Sequence, residues 1–216
     1  MTDQTAGVSK LVQYLNEAYG REKQLETALA SHLEMTTNAP YKKRLREHLT
    51  ETKRHAREIE KRVKKLGGSP QIVPIEGLDP LAKGAGAAKE IAGRAVAAVQ
   101  GPLHALRGIG EQETMLANAR REYADEHEEI ACYIAIETLA EALGDAETAK
   151  LAREIRREEE SMARFLERRI PTLTKAVVVA EVPAAERRKP PARKRGAGAT
   201  AKRAKGPRKA AARPKA

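Results

Sequence analysis

Four long stretches of the chain repeat apolar residues every three to four positions, which is the period of an amphipathic α-helix. No other segment of comparable length has a regular apolar pattern, so the sequence predicts an all-α fold. The helical stretches cover about 8–29, 45–66, 111–143 and 145–169, and Pro171 is expected to follow the end of the last one. The predicted stripe of the third stretch consists of Tyr123, Glu126, Ile130, Tyr133, Ile134 and Leu139.

The connections between these stretches have unequal lengths, which decides how the helices are arranged. Residues 36–40 and the pair Gly144 and Asp145 allow only short turns, so each turn joins two antiparallel helices. Gly144 is expected to end its helix in a left-handed conformation, and Asp145 to cap the next. About forty residues separate the second and third helices, with an extended crossing over 69–80 and a short helix expected near 85–99. This pattern predicts a ferritin-like four-helix bundle with one long crossover.

The positive charge of the chain is concentrated in its last thirty residues. The full sequence has 41 basic and 30 acidic residues, and residues 187–216 hold thirteen of the basic ones and no acidic one. The rest of the chain therefore carries 28 basic against 30 acidic residues. We predict a bundle domain over 1–174 and a disordered tail over 175–216 that is strongly cationic from 187. The short apolar run 176–182 is also compatible with a strand fragment that has no partner.

A cationic tail without aromatic residues predicts contacts with phosphates rather than readout of bases. DNA or another polyanion is the expected partner; RNA, an anionic membrane surface and a tail that serves only solubility are the alternatives. In composition the tail resembles the Lys/Ala/Pro-rich tails of linker histones. The residues expected to contact nucleic acid are Arg187, Arg188, Lys189, Arg193, Lys194, Arg195, Lys202, Arg203, Lys205, Arg208, Lys209, Arg213 and Lys215.

Cellular location is predicted from three features of the composition. The single Cys132 excludes an internal disulfide and suits a reducing compartment. No apolar run approaches the roughly 20 residues of a membrane span, and no basic-then-apolar leader is visible. A cytoplasmic, nucleoid-associated protein without membrane insertion is expected.

Ionisable residues interrupt the apolar stripe of every predicted helix near its midpoint. Such groups are stable in a core when they are paired or bound to a metal. Oxygen-rich sets with one or two imidazoles suit iron or manganese. Solvated or salt-bridged positions are the alternative for each residue. The candidates are Glu22 on the first helix, Glu51 and His55 on the second, Glu126 and Glu129 on the third, and Glu158 and Glu159 on the fourth.

The segments YLNEAYGREKQLETAL, HLTETKRHAREIE and DEHEEIACYIAIETLAEALG resemble the ferritin-like stress proteins of the YciE/YciF type. The resemblance covers roughly 8–170. More distantly, the spacing of the carboxylates is similar to that of rubrerythrin-like di-iron proteins. The metal ligands that the resemblance implies are Glu22, His55, Glu126, Glu129 and Glu159.

Two positions depart from the Glu-x-x-His pair of a typical di-iron bundle. The second helix has Thr52-x-x-His55 and the fourth has Glu159-x-x-Met162. Glu51, or Glu58 on the next turn, would replace the missing carboxylate. With two irons bound, Glu22 and Glu129 would bridge them, and Tyr133 would be a hydrogen-bond donor or electron source beside them. Thr52, Tyr133 and Met162 are thus the residues expected next to the ligands.

Three functional hypotheses follow. The first is a ferritin-like stress protein that binds iron or manganese, in a mononuclear or dinuclear site, and holds DNA nonspecifically through its tail as a homodimer or higher oligomer. The second is a non-enzymatic architectural protein of the nucleoid with a metal-free bundle. The third is an enzyme, a ferroxidase or a peroxide-consuming di-iron protein, for which the tail is only a localising segment.

Overall fold

A computed structural model describes residues 5–72 and 110–187 of the chain. The described residues form four helices and no strand: α1 (Ala6–Met35), α2 (Ala39–Lys65), α3 (Glu111–Ala142) and α4 (Ala146–Glu181). The predicted all-α bundle is confirmed. The helix expected near 85–99, most of the crossover, and the tail beyond 187 lie outside the described residues.

Side-chain caps and glycines set the ends of the helices. The side chains of Thr5, Asn38 and Asp145 accept hydrogen bonds from the first-turn amides of α1, α2 and α4. Gly67 and Gly144 have φ angles of 78° and 72°, a region that costs glycine little, and they end α2 and α3. The predicted roles of Gly144 and Asp145 are confirmed.

The helices pack as a closed ring of four, and this explains the long crossover. α1 packs on α2 and α3, and α4 packs on α3 and α2, so α2 and α3 stand at opposite corners. Thr37, in the turn before α2, lies 3.7 Å from Met115 near the start of α3 (Oγ1 to Sδ). Helix α3 therefore begins at the end of the bundle where α2 begins, so the end of α2 and the start of α3 lie at opposite ends of the bundle.

Helix α4 is longer than the sequence pattern predicted. It passes through Pro171 and ends at Glu181, so the predicted stop near 169 and the strand fragment over 176–182 are wrong. Proline removes one backbone hydrogen bond from a helix. Beyond it, Leu173 is buried and Val177 packs beside it, and this burial offsets the lost bond. The predicted domain boundary at 174 falls inside the helix.

The buried line of α3 differs by one residue from the predicted stripe. Ile134 was expected in the core but is 47% exposed, whereas Ile136 is buried. Steps of three and four residues along α3 keep one line facing inward, and Ile134 is off that line. The buried line consists of Glu122, Glu126, Glu129, Tyr133, Ile136 and Ala140.

Two apolar clusters fill the bundle, one towards each end. The first includes Leu11, Leu15, Ile59, Val63, Ile136 and Ile155. The second includes Leu25, Leu29, Leu45, Met115, Met162 and Leu166. The sequence positions between these clusters carry polar side chains on all four helices. None of the described helices is long and apolar enough to cross a membrane.

Candidate metal centre

The middle of the bundle is a layer of buried ionisable side chains, which we call the polar layer. Each member is at most 3% exposed, and all four helices contribute. Its members are Glu22 from α1, His48 and His55 from α2, Glu126 and Glu129 from α3, and Glu159 from α4.

Two groups of three ligand atoms form within this layer. In the first, His55 Nδ1 lies 2.8 Å from Glu159 Oε1 and 3.4 Å from Glu22 Oε1. In the second, His48 Nε2 lies 2.8 Å from Glu126 Oε1 and 3.7 Å from Glu159 Oε2. Glu159 belongs to both groups and presents a different oxygen to each. Its carboxylate is placed to bridge two cations.

Most of the unsatisfied polar atoms of the interior lie in this layer. Of fourteen buried side-chain nitrogen and oxygen atoms without a hydrogen-bond partner among the described residues, ten belong to the polar layer and to Thr52. His48 Nε2 and His55 Nδ1 are among them although each has a carboxylate oxygen at 2.8 Å, because the contact lacks the direction of a hydrogen bond. Unpaired buried polar groups are unfavourable, so this concentration indicates a ligand.

The spacing of these atoms fits a metal ion. Two ligand atoms about 2.1 Å from one cation and at right angles to each other are about 3 Å apart. The nitrogen–oxygen distances in the two groups, 2.8 to 3.7 Å, bracket that value. Four carboxylates and two imidazoles form the mixed oxygen and nitrogen set that suits iron or manganese.

Each histidine is held from outside by a second carboxylate. Glu51 Oε2 lies 3.2 Å from His48 Nδ1, and Glu158 Oε2 lies 2.7 Å from His55 Nε2. Both carboxylates are about one-third exposed, and each also pairs with an arginine, Glu51 with Arg44 and Glu158 with Arg54. A hydrogen bond to the outer nitrogen fixes the orientation of a ligating imidazole. His48 thus presents Nε2 to the interior, whereas His55 presents Nδ1.

Neighbouring carboxylates favour the protonated form of both histidines. Burial lowers the pKa of His48, but the charge and close contact of Glu126 and the hydrogen bond to Glu51 outweigh it and raise that pKa to about 10. Burial likewise opposes the effect of Glu159 and Glu22 on His55, whose pKa rises to about 11.

The carboxylates of the layer respond to burial in different ways. Burial raises the pKa of Glu126 and that of Glu129 well above the usual range. For Glu159, burial is outweighed by His55 and His48, which lower its pKa. Protons thus neutralise part of the negative charge that cations would otherwise balance.

Family membership rests on a match along the whole bundle. The family model described as "Domain of unknown function (DUF892)" matches residues 9–100 and 86–178. The chain belongs to the DUF892 family. No curated protein matches it.

Solved structures share the fold of this DUF892 chain. A protein of Xanthomonas campestris pv. campestris is 22% identical with a TM-score of 0.62, over 82% of this chain and 99% of that one. The E. coli stress protein YciF is 23% identical with a TM-score of 0.55, over 81% and 99%. A Desulfovibrio desulfuricans bacterioferritin, whose structure is described with a diiron site, is 18% identical with a TM-score of 0.57, over 81% and 86%. The ferritin-like architecture is thereby confirmed.

Five of the seven candidates taken from the DUF892 sequence lie in the polar layer; Glu158 does not, and neither does Glu51. Its carboxylate points outward to Arg44 and to the far side of His48. These hydrogen bonds, that from His48 foremost, outweigh partial burial and hold the pKa of Glu51 down at about 2. Glu51 supports a candidate ligand instead of being one.

His48 was not predicted as a ligand, although the sequence held a signal for it. It stands seven residues before His55, which is two helical turns, so both rings face the same side of α2. The Glu-x-x-His pair of a typical di-iron bundle instead favours a ligand at or beside position 52, which pointed to Glu51.

The residues expected beside the ligands have three different environments. Tyr133 is buried and donates its hydroxyl to Glu22 Oε1, so it contacts the layer directly. Met162 packs in the second apolar cluster. Thr52 is fully buried, and its hydroxyl has no partner in the part of the chain that the structure describes. Glu159, rather than the predicted Glu22 and Glu129, is shared by the two groups of ligand atoms.

A second buried polar cluster lies on the α3 turn before Glu126. Glu122 accepts a hydrogen bond from the Tyr41 hydroxyl (2.6 Å), and its other oxygen lies 2.7 Å from His32 Nδ1. The sequence reasoning did not identify this cluster. All its carboxylate oxygens have partners, in contrast to those of Glu126 and Glu129.

Proposed function

We propose that the DUF892 bundle binds two divalent cations, iron or manganese, in the polar layer and acts in a stress response. The observation that carries this proposal is the set of unpartnered buried atoms gathered in two groups that share Glu159. The stress protein YciF and the bacterioferritin described with a diiron site have the same fold, which supports the proposal.

Each residue has a defined task in this function. Glu22 and His55 would hold one cation, His48 and Glu126 the other, and Glu159 would bind both. Glu129, with two unpartnered oxygens in the same layer, completes the set of four carboxylates. Four carboxylates balance two divalent cations, so the loaded site is neutral. A pair of iron(II) ions there would supply electrons for the reduction of peroxide or dioxygen.

The chain's own residues prepare the site for that chemistry. Apolar clusters on both sides exclude bulk water from the layer. Binding of cations displaces the protons held on the histidines and on Glu126 and Glu129. Glu51 and Glu158, which touch the outer nitrogens of the histidines and are partly exposed, are placed to pass those protons to solvent.

Metal content after loading tests the proposal. Purified protein is treated with a chelator, loaded anaerobically with Fe(II) or Mn(II), desalted and analysed for metal. We expect two ions per chain for the unmodified protein and a large loss in Glu159→Gln, which removes the shared charge with little change of shape. Glu154→Gln is the matched control, because this exposed glutamate lies on the same helix and pairs with Lys150 at the surface. Equal metal content in all three proteins would refute the proposal.

We also propose that the cationic tail binds DNA without sequence preference. The observation behind this is the thirteen basic and no acidic residues of 187–216. If about ten of these cations met phosphates, the affinity would fall with the logarithm of salt concentration at a slope of about −9. A bundle that forms a dimer or higher oligomer would present several tails to one duplex.

Gel-shift titrations on random duplex DNA test the tail. The full chain should bind with a steep salt dependence, and a chain ending at residue 186 should lose it. Equal binding by the shortened chain would contradict the proposal. Binding of RNA but not duplex DNA would assign the tail to a different polyanion.

A further inference from the structure

Thr52 lies at the level of the polar layer on α2, and the proposed cation site assigns it no role. It lies four residues after His48 and three before His55, on the same inward line of α2. The residue is fully buried, and its hydroxyl has no hydrogen-bond partner among the described residues.

Other threonines of this protein show how unusual that hydroxyl is. A helical threonine ordinarily satisfies its hydroxyl by donating to the carbonyl oxygen four residues earlier. Thr52 does not bond in this way to the carbonyl of His48, and its buried hydroxyl has no other partner among the described residues. Five threonines that do make this bond, at 2.7 to 3.2 Å, are Thr27, Thr36, Thr50, Thr138 and Thr174.

Charge balance indicates what kind of ligand the hydroxyl would meet. Two divalent cations are neutralised by Glu22, Glu126, Glu129 and Glu159, and oxidation of both to the trivalent state leaves two positive charges in excess. A small anion offsets part or all of that excess, depending on its charge. A carboxylate at position 52 would take the anion's place, whereas a threonine hydroxyl can donate a hydrogen bond to it.

We propose that Thr52 is the hydrogen-bond donor that holds a small anion, of the hydroxide, peroxide or azide class, in the cation-loaded polar layer. This inference rests on the proposed cation site. It assigns a binding role to a neutral side chain between His48 and His55. Thr52 is then a specificity residue: it selects a small hydrogen-bond acceptor as the site's exogenous ligand.

The test combines one measurement on metal-free protein with one on iron-loaded protein. Thr52→Val keeps the shape and the β-branch but removes the hydroxyl, and Thr52→Ser keeps the hydroxyl. Thr50→Val is the matched control, because this exposed threonine lies two residues away and bonds to the carbonyl of Arg46.

In the presence of chelator, the thermal midpoint of Thr52→Val should equal or exceed that of the unmodified protein, because an unsatisfied buried hydroxyl is unfavourable. Thr50→Val removes a hydroxyl that already has a hydrogen-bond partner, so its thermal midpoint should not rise. A lower midpoint for Thr52→Val would mean that the hydroxyl already has a structural partner, and it would overturn the proposal whether or not metal binds.

In protein loaded with Fe(II) and oxidised in air, azide is titrated through its charge-transfer absorption. Loss of a hydrogen bond to a charged ligand should weaken azide binding about tenfold or more in Thr52→Val. Thr52→Ser and Thr50→Val should bind as the unmodified protein does. Equal azide affinity in all variants that hold iron refutes the role of Thr52 alone, whereas an unmodified protein that holds no iron refutes the cation site itself.

Discussion

Substitution of Glu129 tests the proposed function, because its carboxyl group is expected to hold cations and, without cations, to destabilise the fold. Its side chain is 3% exposed, and within residues 5–72 and 110–187 both of its carboxylate oxygens lack a hydrogen-bond partner. Methionine has a similar length, packs adaptably and favours helix. Glu129→Met should therefore stabilise the metal-free bundle and damage the cation site.

The expected gain follows from the environment of the carboxyl group. Leaving a buried polar group unsatisfied costs about 1–3 kcal/mol, so its removal should raise the free energy of unfolding by about 2 kcal/mol. For a chain of this size, 1 kcal/mol shifts Tm by about 2–4 °C, so Tm should rise by about 4–8 °C.

Thermal unfolding followed by circular dichroism, once with chelator and once with Mn(II), measures both effects. A cation present at 100 times its Kd stabilises the folded state by about 2.7 kcal/mol, so the unmodified protein should gain more from Mn(II) than the variant does. Glu154→Met is the control, because the side chains of Glu154 and its partner Lys150 are 58% and 73% exposed, and such surface pairs contribute little.

Two results would refute the reasoning about Glu129. A lower Tm of Glu129→Met in chelator would show that the carboxyl group has partners that satisfy it. An undiminished response to Mn(II) would show that Glu129 takes no part in holding the cations.

Two further predictions concern the outer carboxylates and one helix cap. Glu51→Gln and Glu158→Gln should each lower the affinity for Co(II) about 10–100-fold, because each changes the orientation of its histidine, His48 or His55. Titration with Co(II) followed by visible absorption measures this affinity. Unchanged affinity in both variants would show that the outer carboxylates do not support the ligands. Hydrogen bonds from Arg62 and Thr148 outweigh burial and lower the pKa of Asp145 below its usual 3.8. The stability that the ionised Asp145 contributes is therefore present above about pH 4, and it is lost as the pH falls through the lowered pKa. Asp145→Asn keeps a good cap, so its Tm should lie below that of the unmodified protein at pH 7 and approach it near pH 3; a constant difference would contradict this.

The sequence predicted the helices well because each has an independent periodic signal and most ends carry a cap or a glycine. The prediction stopped α4 at Pro171 because the local penalty of proline is visible in the sequence, whereas the burial of Leu173 against other helices is not. Ile134 was misplaced for a related reason. The apolar pattern of a helix defines its buried face only to within about one residue, whereas packing against the other helices fixes it.

The candidate site was predicted in part, and the errors have one cause. Periodicity identified the inward carboxylates of α1, α3 and α4, since a charged residue in an apolar stripe is conspicuous. On α2, the seven-residue spacing from His55 puts His48, rather than Glu51, on the inward side of the helix, and the prediction did not use that spacing. Position on a helix face cannot show that Glu51 contacts the outer nitrogen of His48.

Because the polar layer lies between two apolar clusters, the geometry of the site depends on how the four helices are aligned along their axes. Each ligand is carried by a different helix or turn, and the leucines and isoleucines at either end fix how far each helix slides along its neighbours. A slip of one turn is about 5.4 Å, more than the spacing within either group of ligand atoms. Substitutions in the apolar ends that shorten or enlarge a core side chain should therefore alter cation affinity at a distance, even where the fold and its stability survive.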